Sequence, residues 1–217
     1  KLGRSEQIAA YASWANAVEG NTTFYGTPSA ETVRAWAAGA PEDFRFVFKL
    51  PRTITHDRRL RDAGDELRAF LDVIEPLGER ASTMSIQLPG SFGPTDLGVL
   101  DRFLARLPEG RRWGVELLHP DFFGPGRAHD DARALLERRR AEWISFDTTT
   151  LFASPPRSEA ERDGWAKKPR LPRLTEAVTD EPIVRYVGRD DPDTTEAGWQ
   201  VWLSVVAEWL EQGRTPT

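Results

Sequence analysis

Apolar residues recur at helical spacing in three segments of the chain. In the first, over 65–75, they follow the i, i+3, i+4, i+7 rule of an amphipathic helix, at Leu67, Phe70, Leu71 and Ile74. A second helix is predicted over 95–107, with Thr95 as its N-cap and Pro108 as its stop. The third covers 202–212 and is stopped by Gly213.

Weaker helical patterns cover 4–14, 29–38 and 130–140, the second of them capped by Thr27 or Ser29. Between the helices lie short apolar runs bounded by Gly, Pro or polar turns, which predict β-strands. These strands are expected over 17–22, 45–50, 84–88, 112–117, 143–147 and 183–188. Strands that alternate with helices are typical of parallel sheets with crossover connections, so the predicted fold class is α/β.

The order of the elements favours a barrel over an open sheet. The series starts with a helix that no strand precedes, and the segment 213–217 resembles a turn into a further strand. Six strands with one missing at each end would complete a TIM-type (β/α)8 barrel that lacks its first and last strands in this chain. The alternative is an open doubly wound sheet, although no G-x-G-x-x-G turn follows a predicted strand.

Composition narrows the class of protein. The chain has 217 residues, 39% of them hydrophobic, which is enough for one sizeable globular domain or two small ones, and a single domain over 1–217 is predicted. It has no Cys, which excludes disulfides and thiol nucleophiles, and no apolar run near the ~20 residues that a membrane span needs. A net charge of −5 argues against a broad nucleic-acid-binding surface. No export leader is recognised, so a cytoplasmic location is expected.

One connection, at about 148–182, is unusually long and basic. Between Arg157 and Arg173 it carries six cationic and three anionic side chains, and it offers only one weak helical segment, around 158–165. Loops of this length in a compact domain are usually functional lids or mobile segments. Two interpretations stay open: the loop covers an anionic ligand, with Lys167 and Lys168 as contacts, or its charges only keep it solvated.

Polar or charged side chains stand at the end of every predicted strand. They are Glu19, Asn21, Lys49, Gln87, Glu116, His119, Asp147 and Arg185. In (β/α)8 barrels this end of the strands forms the active site. Burying such groups costs several kcal/mol each unless they bind one another or a ligand. We therefore expect these side chains to converge at one mouth.

Three of these side chains are candidates for acid–base catalysis, namely Glu116, Asp147 and His119. Ligand contacts are expected from the others, namely Glu19, Asn21, Lys49, Gln87 and Arg185. Each also has a structural interpretation: Asn21 caps a turn, for instance, or Arg185 forms an ion pair with Asp147. The sequence alone leaves both kinds of role open.

Several mechanisms lack the residues they need. The chain has three His, so His56 and His119 with Glu116 would hold one metal ion at most, and a multinuclear zinc hydrolase is excluded. No G-x-S-x-G nucleophile elbow occurs. Neither a metal site nor a cofactor is predicted.

Several motifs resemble the YecE-like family, a bacterial domain-of-unknown-function family with a TIM-barrel fold. They are VEGNTTFY at 18–25, DFRFVFKLP at 43–51, TITH at 53–56, QLP at 87–89, SFGP at 91–94, GVE at 114–116, HP at 119–120, WAKKP at 165–169 and IVRYVG at 183–188. The resemblance covers essentially the whole chain, in order. It implies the barrel fold but no reaction, because none is established for the family.

The sequence also departs from the family pattern. Neither the usual opening strand with its Gly- and Trp-containing motif nor the usual closing strand is present, in agreement with the two missing strands. The family commonly has an Arg directly before His119, where this chain has Leu118. Any anion contact made by that Arg is therefore in doubt here.

These observations lead to three hypotheses about function. The first is a pocket for a small polar or anionic molecule at the C-terminal face of the barrel, with acid–base catalysis by Glu116. The second is a barrel protein that binds such a ligand without catalysis. The third, a metal-dependent sugar-phosphate isomerase or nuclease-like barrel, is disfavoured by the few His residues and the negative charge.

Overall fold

Parallel strands and helices alternate in the computed structural model, which describes residues 3–217 and has an α/β fold. The strands are β1 (Ala17–Gly20), β2 (Arg45–Lys49), β3 (Ala81–Gln87), β4 (Arg112–Glu116), β5 (Glu142–Trp143), β6 (Ser145–Asp147) and β7 (Val184–Tyr186). A central sheet has the order β1-β2-β3-β4-β5, and β6 pairs with β7 in a second sheet. The pairs β1–β2, β2–β3 and β6–β7 are parallel, as predicted.

Eight α-helices are described. They are α1 (Arg4–Ala12), α2 (Thr22–Tyr25), α3 (Ala30–Gly39), α4 (Gly64–Ile74), α5 (Leu97–Leu104), α6 (Arg127–Arg139), α7 (Glu159–Lys167) and α8 (Pro192–Glu211). A π-helix (Thr53–Asp57) and three 3₁₀ segments (Glu75–Arg80, Pro94–Asp96 and Pro120–Phe122) complete the regular structure. None of the described helices is both long enough and apolar enough to cross a membrane.

Most predicted elements are confirmed, and the differences have local causes. The predicted strand 143–147 is divided because Ile144 N–H donates to Val115 O, whereas the next residue, Ser145, donates to Ile183 O. The chain therefore changes its strand partner at this point.

Two helix starts differ from the prediction. Thr95 does not cap a helix, because the chain forms a 3₁₀ turn over Pro94–Asp96 before α5. α8 starts ten residues before Trp202. There the Asp191 carboxylate accepts the Thr194 N–H at 2.9 Å and so caps the helix.

The chain divides into two compact units. The first comprises residues up to Leu88 and Arg102–Gly114, and the second comprises Pro89–Asp101 and Val115–Thr217. In the first unit, Trp36 of α3 stacks on Phe46 and Phe48 of β2, with ring centroids 6.1 and 5.7 Å apart. These two rings therefore place one face of β2 against a helix.

The long connection of the second unit is held by a buried ion pair. Glu161 in α7 binds the Arg189 guanidinium at 2.6 Å, and the two side chains are 4% and 3% exposed. Arg189 also donates to the carbonyls of Ser154 and Pro155. The weak helical segment predicted around 158–165 is thus a helix, and the Glu161–Arg189 ion pair attaches it to the chain that follows β7.

Barrel closure stays a prediction, because the strands of residues 3–217 form two separate sheets and no closed ring. Thr215 and Thr217 donate backbone hydrogen bonds to Asp180 and Pro182, and Val184 donates to Thr217. This alternation is that of neighbouring parallel strands. The segment after Gly213 therefore runs beside the residues that lead into β7, in line with the predicted turn into a further strand.

Glu161→Gln should loosen the connection, because it leaves the buried Arg189 without its counter-charge. Arg189 lowers the pKa of Glu161 from 4.5 to about 2, so the pair stabilises the fold above pH ~4.5 and is lost as the pH falls towards ~2. We expect a lower melting temperature and faster protease cleavage over 154–168 near pH 7, with the difference from the parent shrinking in acid.

Asp163→Asn is the matched control on the same helix, since Asp163 pairs with Lys167 on the surface and is 57% exposed. It should leave melting and cleavage almost unchanged. Equal cleavage of the Glu161→Gln variant and the parent would contradict the role of the buried pair.

Candidate functional site

Three predicted site residues come together in the first unit, at the ends of β1, β2 and β3. The Lys49 ammonium lies 3.3 Å from the Glu19 carboxylate and donates to the Gln87 side-chain oxygen, also at 3.3 Å. The Lys49 side chain is only 7% exposed. The sequence prediction that these three strand ends converge is therefore correct within this unit.

Strand alternation explains why these side chains share a face. Phe46 and Phe48 of β2 pack on α3, so the next residue in each case points to the other face. Lys49 is in register with Ser85, which places Thr83, Ser85 and Gln87 of β3 on the face that carries Lys49. We call Glu19, Lys49, Thr83, Ser85 and Gln87 the polar face of the first unit.

Two hydroxyl groups on the polar face are buried without a hydrogen-bond partner. Thr83 and Ser85 are both 0% exposed, and neither Oγ1 of the first nor Oγ of the second has a partner within the described residues. A buried polar group left unsatisfied costs about 1–3 kcal/mol. The face therefore carries hydrogen-bonding capacity that the protein itself does not use.

Asn21 follows the end of β1 and His56 follows β2, and His56 was not among the predicted site residues. Asn21 is exposed and stands at the N-cap of α2, where its side chain makes no capping hydrogen bond. His56 lies in the π-helix, bonded through Nδ1 to the Thr55 hydroxyl at 2.9 Å. Burial, and then Arg52, lower the pKa of His56, with Lys49 contributing in the same direction.

The second unit brings together another predicted pair. Glu116 at the end of β4 is fully buried and forms an ion pair with Arg185 of β7, whose side chain is 17% exposed. Arg185 was expected to pair with Asp147 if its role were structural. The structure gives it Glu116 as partner instead.

The Phe146 ring lies beside two cations, one of which is Arg185 of this ion pair. The Arg185 guanidinium lies 5.2 Å from the Phe146 ring centroid, and the Lys168 ammonium lies 5.7 Å from the same centroid. Both distances are within cation–π range. We call Glu116, Phe146, Lys168 and Arg185 the Phe146 cluster.

The two neighbouring lysines of the basic connection differ in their surroundings. Lys167 is exposed and pairs with Asp163, one turn earlier in α7, at 2.6 Å. Lys168 follows the helix in an extended conformation and is half-buried against Phe146. No carboxylate of residues 3–217 lies within ion-pair distance of Lys168. The structure thus brings Lys168 to the Phe146 cluster.

Asp147 lies on the other face of the β6–β7 sheet. Phe146 and Arg185 are in register, so the next residues, Asp147 and Tyr186, point the opposite way. The Asp147 carboxylate accepts hydrogen bonds from Trp202 of α8 at 2.8 Å and from Arg173 at 2.7 Å. Burial acts to raise the pKa of Asp147, but these bonds and those from Thr149 lower it. The structure does not bring Asp147 to Glu116.

His119 stands after β4 with one ring nitrogen engaged. Its Nδ1 accepts the Asp121 N–H at 3.2 Å, so Nε2 carries the proton of the neutral ring. A Cβ added at Gly93 would lie 3.2 Å from this ring, a tight contact that would require the imidazole to shift by a few tenths of an ångström. Within residues 3–217, no three His, Asp or Glu side chains are grouped as metal ligands would be.

Several residues of these sites were not predicted from the sequence. Thr83 and Ser85 carry a signal in the alternation of polar and apolar residues along 83–87, which places the polar side chains of Thr83, Ser85 and Gln87 on one face. Phe146 has no such signal, because a phenylalanine in a strand is ordinarily a core residue.

Comparison with known proteins identifies relatives across the whole chain. Residues 1–217 match a protein-family model described as "Protein of unknown function DUF72". The sequence is 39% identical over 206 residues to the UPF0759 protein YecE of Escherichia coli O157:H7, covering 95% of this chain and 75% of that protein. The YecE protein of Escherichia coli K12 matches to the same extent. The resemblance to the YecE-like family is thereby confirmed.

Solved structures support the fold. A DUF72 family protein from Enterococcus faecalis V583 superimposes with a TM-score of 0.73 at 19% identity, covering 99% of this chain and 86% of that one. Another, from Thermotoga maritima MSB8, gives a TM-score of 0.69 at 20% identity, covering 100% and 82%. At these identities the likeness concerns the fold alone.

His56 should make the protein sensitive to mild acid. Because burial lowers its pKa in the folded chain from 6.5, the unfolded chain binds the proton first, and stability is lost as the pH falls below ~6.5. In denaturant titrations, His56→Gln should lose less unfolding free energy than the parent between pH ~7.5 and pH ~5.5. Equal losses of unfolding free energy in the variant and the parent would contradict a lowered pKa of His56 as the cause of the acid sensitivity.

Proposed function

The chain belongs to the DUF72 family of proteins of unknown function, and within this fold we propose that it binds a small anionic molecule at the Phe146 cluster. The observation that carries the proposal is the position of two cations over one phenyl ring. Arg185 and Lys168 lie 5.2 and 5.7 Å from the Phe146 centroid. A phosphate or carboxylate group is the ligand that such a pair of cations recognises.

The charge of the cluster favours an anion. Glu116 neutralises one of the two cations, whereas no described carboxylate is within ion-pair distance of Lys168. The cluster therefore has a net positive charge beside an apolar ring, where an anion interacts more strongly than it would in bulk water.

Apolar packing supports the geometry of the site. Phe146 is 3% exposed and packs with Leu118 and Leu171 in one hydrophobic cluster. These contacts fix the ring, and the ring in turn limits where the two cations lie. A site held in this way needs little reorganisation when a ligand binds.

Glu116 has an orienting role in this proposal. Its carboxylate is fully buried and binds Arg185, which holds the guanidinium in one direction. Catalysis by Glu116 as a base is the second candidate, favoured by its position at the end of a strand. If the Glu116→Gln variant still binds the anion but no longer converts it to product, catalysis by Glu116 would be supported.

The (β/α)8 barrel is also part of the proposal, with the Phe146 cluster at the C-terminal face. The strand–helix alternation supports it, as does the backbone ladder that Thr215–Thr217 form beside the segment leading into β7.

Lys168→Ala should weaken anion binding. Loss of one charge-assisted contact of about 1.5–3 kcal/mol lowers the affinity for inorganic phosphate by ~10-fold or more, measured by isothermal calorimetry at constant ionic strength. Lys167→Ala is the matched control, since its ammonium pairs with Asp163 on the surface. Equal affinities in the two variants, or no phosphate binding by the parent, would overturn the proposal.

Glu116→Gln should destabilise the protein, because it leaves a cation without its buried partner. Breaking such a pair typically costs about 3–5 kcal/mol, which chemical denaturation measures directly. Glu176→Gln, at a pair with Arg133 where Glu176 is 51% exposed, provides the surface control and should change little. A Glu116→Gln variant with unaltered stability and phosphate affinity would remove Glu116 from the site.

A further inference from the structure

We infer that a cavity in the first unit is a binding site for a small organic cation, such as an alkylammonium. The cavity has a volume of about 470 Å³, which is within the size range of small-molecule sites. It lies between two connections, with residues 12–16 after α1 on one side and Pro41, Asp43 and Phe44 before β2 on the other. All of these residues belong to the first unit, so the inference is independent of the Phe146 cluster.

The carboxyl end of α1 contributes negative potential to this cavity. The helix ends at Ala12, with Ser13 as its C-cap, and both residues line the cavity. The carboxyl end of a helix carries about half a negative charge and favours a nearby cation. The last turn of α1 contains no basic residue, and within the described residues no basic side chain donates to its carbonyls. A bound cation would therefore compensate this helix end.

The neighbouring helix α3 shows how the protein compensates such an end elsewhere. α3 ends at Gly39, and the Arg80 guanidinium donates to the carbonyls of Ala37 and Ala40 at 2.8 and 2.9 Å. A cation of the protein itself thus caps α3, whereas the end of α1 faces the cavity. A cationic ligand would provide for α1 what Arg80 provides for α3.

Asp43 adds a full negative charge to the opposite wall. Its side chain is exposed, and its carboxylate has neither a hydrogen bond nor an ion pair with another described residue. The nearest basic residue in the sequence, Arg45, donates instead to the carbonyls of Glu42 and Phe44, at 2.8 and 3.3 Å. No Lys or Arg lines the cavity. The lining is therefore net negative, which favours a cation over an anion.

An exposed aromatic pair defines the ligand further. Trp14 lines the cavity and is 75% exposed, although tryptophan is highly buried on average. Tyr11 packs beside it, with ring centroids 5.6 Å apart, and so limits the positions of the indole. The face of an aromatic ring attracts cations, and that of Trp does so most strongly. An organic cation that fills this cavity can therefore contact the indole and the Asp43 carboxylate together.

The binding of a defined cation to the full chain tests this inference. Benzylammonium is the probe, and benzyl alcohol is a neutral analogue of almost the same shape. Proton–nitrogen NMR spectra report the indole N–H groups of the eight Trp residues, and the signal that is lost in Trp14→Phe belongs to Trp14. We expect benzylammonium to shift this signal saturably, and benzyl alcohol to bind ~5-fold more weakly or less, because it lacks the charge.

Two neighbouring carboxylates provide a matched pair of variants. Asp43→Asn removes the charge in the cavity wall and should weaken benzylammonium binding ~3-fold or more. Glu42→Gln alters the adjacent exposed carboxylate, which does not line the cavity, and should leave the affinity almost unchanged. Both side chains are on the surface, so both variants should melt at the temperature of the parent.

Three results would overturn the inference. The first is the absence of a saturable shift of the Trp14 signal with benzylammonium. The second is equal affinity for benzyl alcohol and benzylammonium, since the cavity would then recognise the ring and not the charge. The third is equal affinity of the Asp43→Asn and Glu42→Gln variants for benzylammonium.

Discussion

Burying a carboxylate costs several kcal/mol unless a cation or several N–H donors compensate it, and the second unit is arranged around this constraint. Its four buried carboxylates each have such a partner: Glu116 has Arg185, Asp147 has Arg173, Glu161 has Arg189, and Glu142 accepts the N–H groups of Trp143, Val178 and Thr179. Burial raises the pKa of Glu142, and those hydrogen bonds oppose the rise. The basic connection is held in place by these partners, and it thereby carries Lys168 to the Phe146 ring.

The same connection illustrates what the sequence predicts and what it does not. Its excess of cations is visible in the sequence, but the direction of each cation depends on where α7 ends. Lys167 is the last helical residue and pairs with Asp163 on the surface, whereas Lys168 leaves the helix and turns towards Phe146. A difference of one residue in a helix end, which sequence patterns do not resolve, decides which lysine belongs to the site.

Strand positions and polar strand ends were predictable because hydrophobic periodicity and turn residues encode them locally. Ion-pair partners were not, because partner choice depends on which face of a strand each side chain occupies. Arg185 is in register with Phe146 and so faces Glu116, while Asp147 faces the helix that carries Trp202. The predicted strand 143–147 is divided at Ile144 because the chain changes its strand partner there, and no local sequence signal indicates this change.

The central claim is that the Phe146 cluster binds an anion, and a crystal structure with selenate tests it most directly, because selenium can be located by its anomalous scattering. The account predicts a peak within hydrogen-bonding distance of both Lys168 and Arg185, and its loss from that position in Lys168→Ala crystals. Peaks confined to exposed arginines such as Arg127, which is 93% exposed, would contradict the claim.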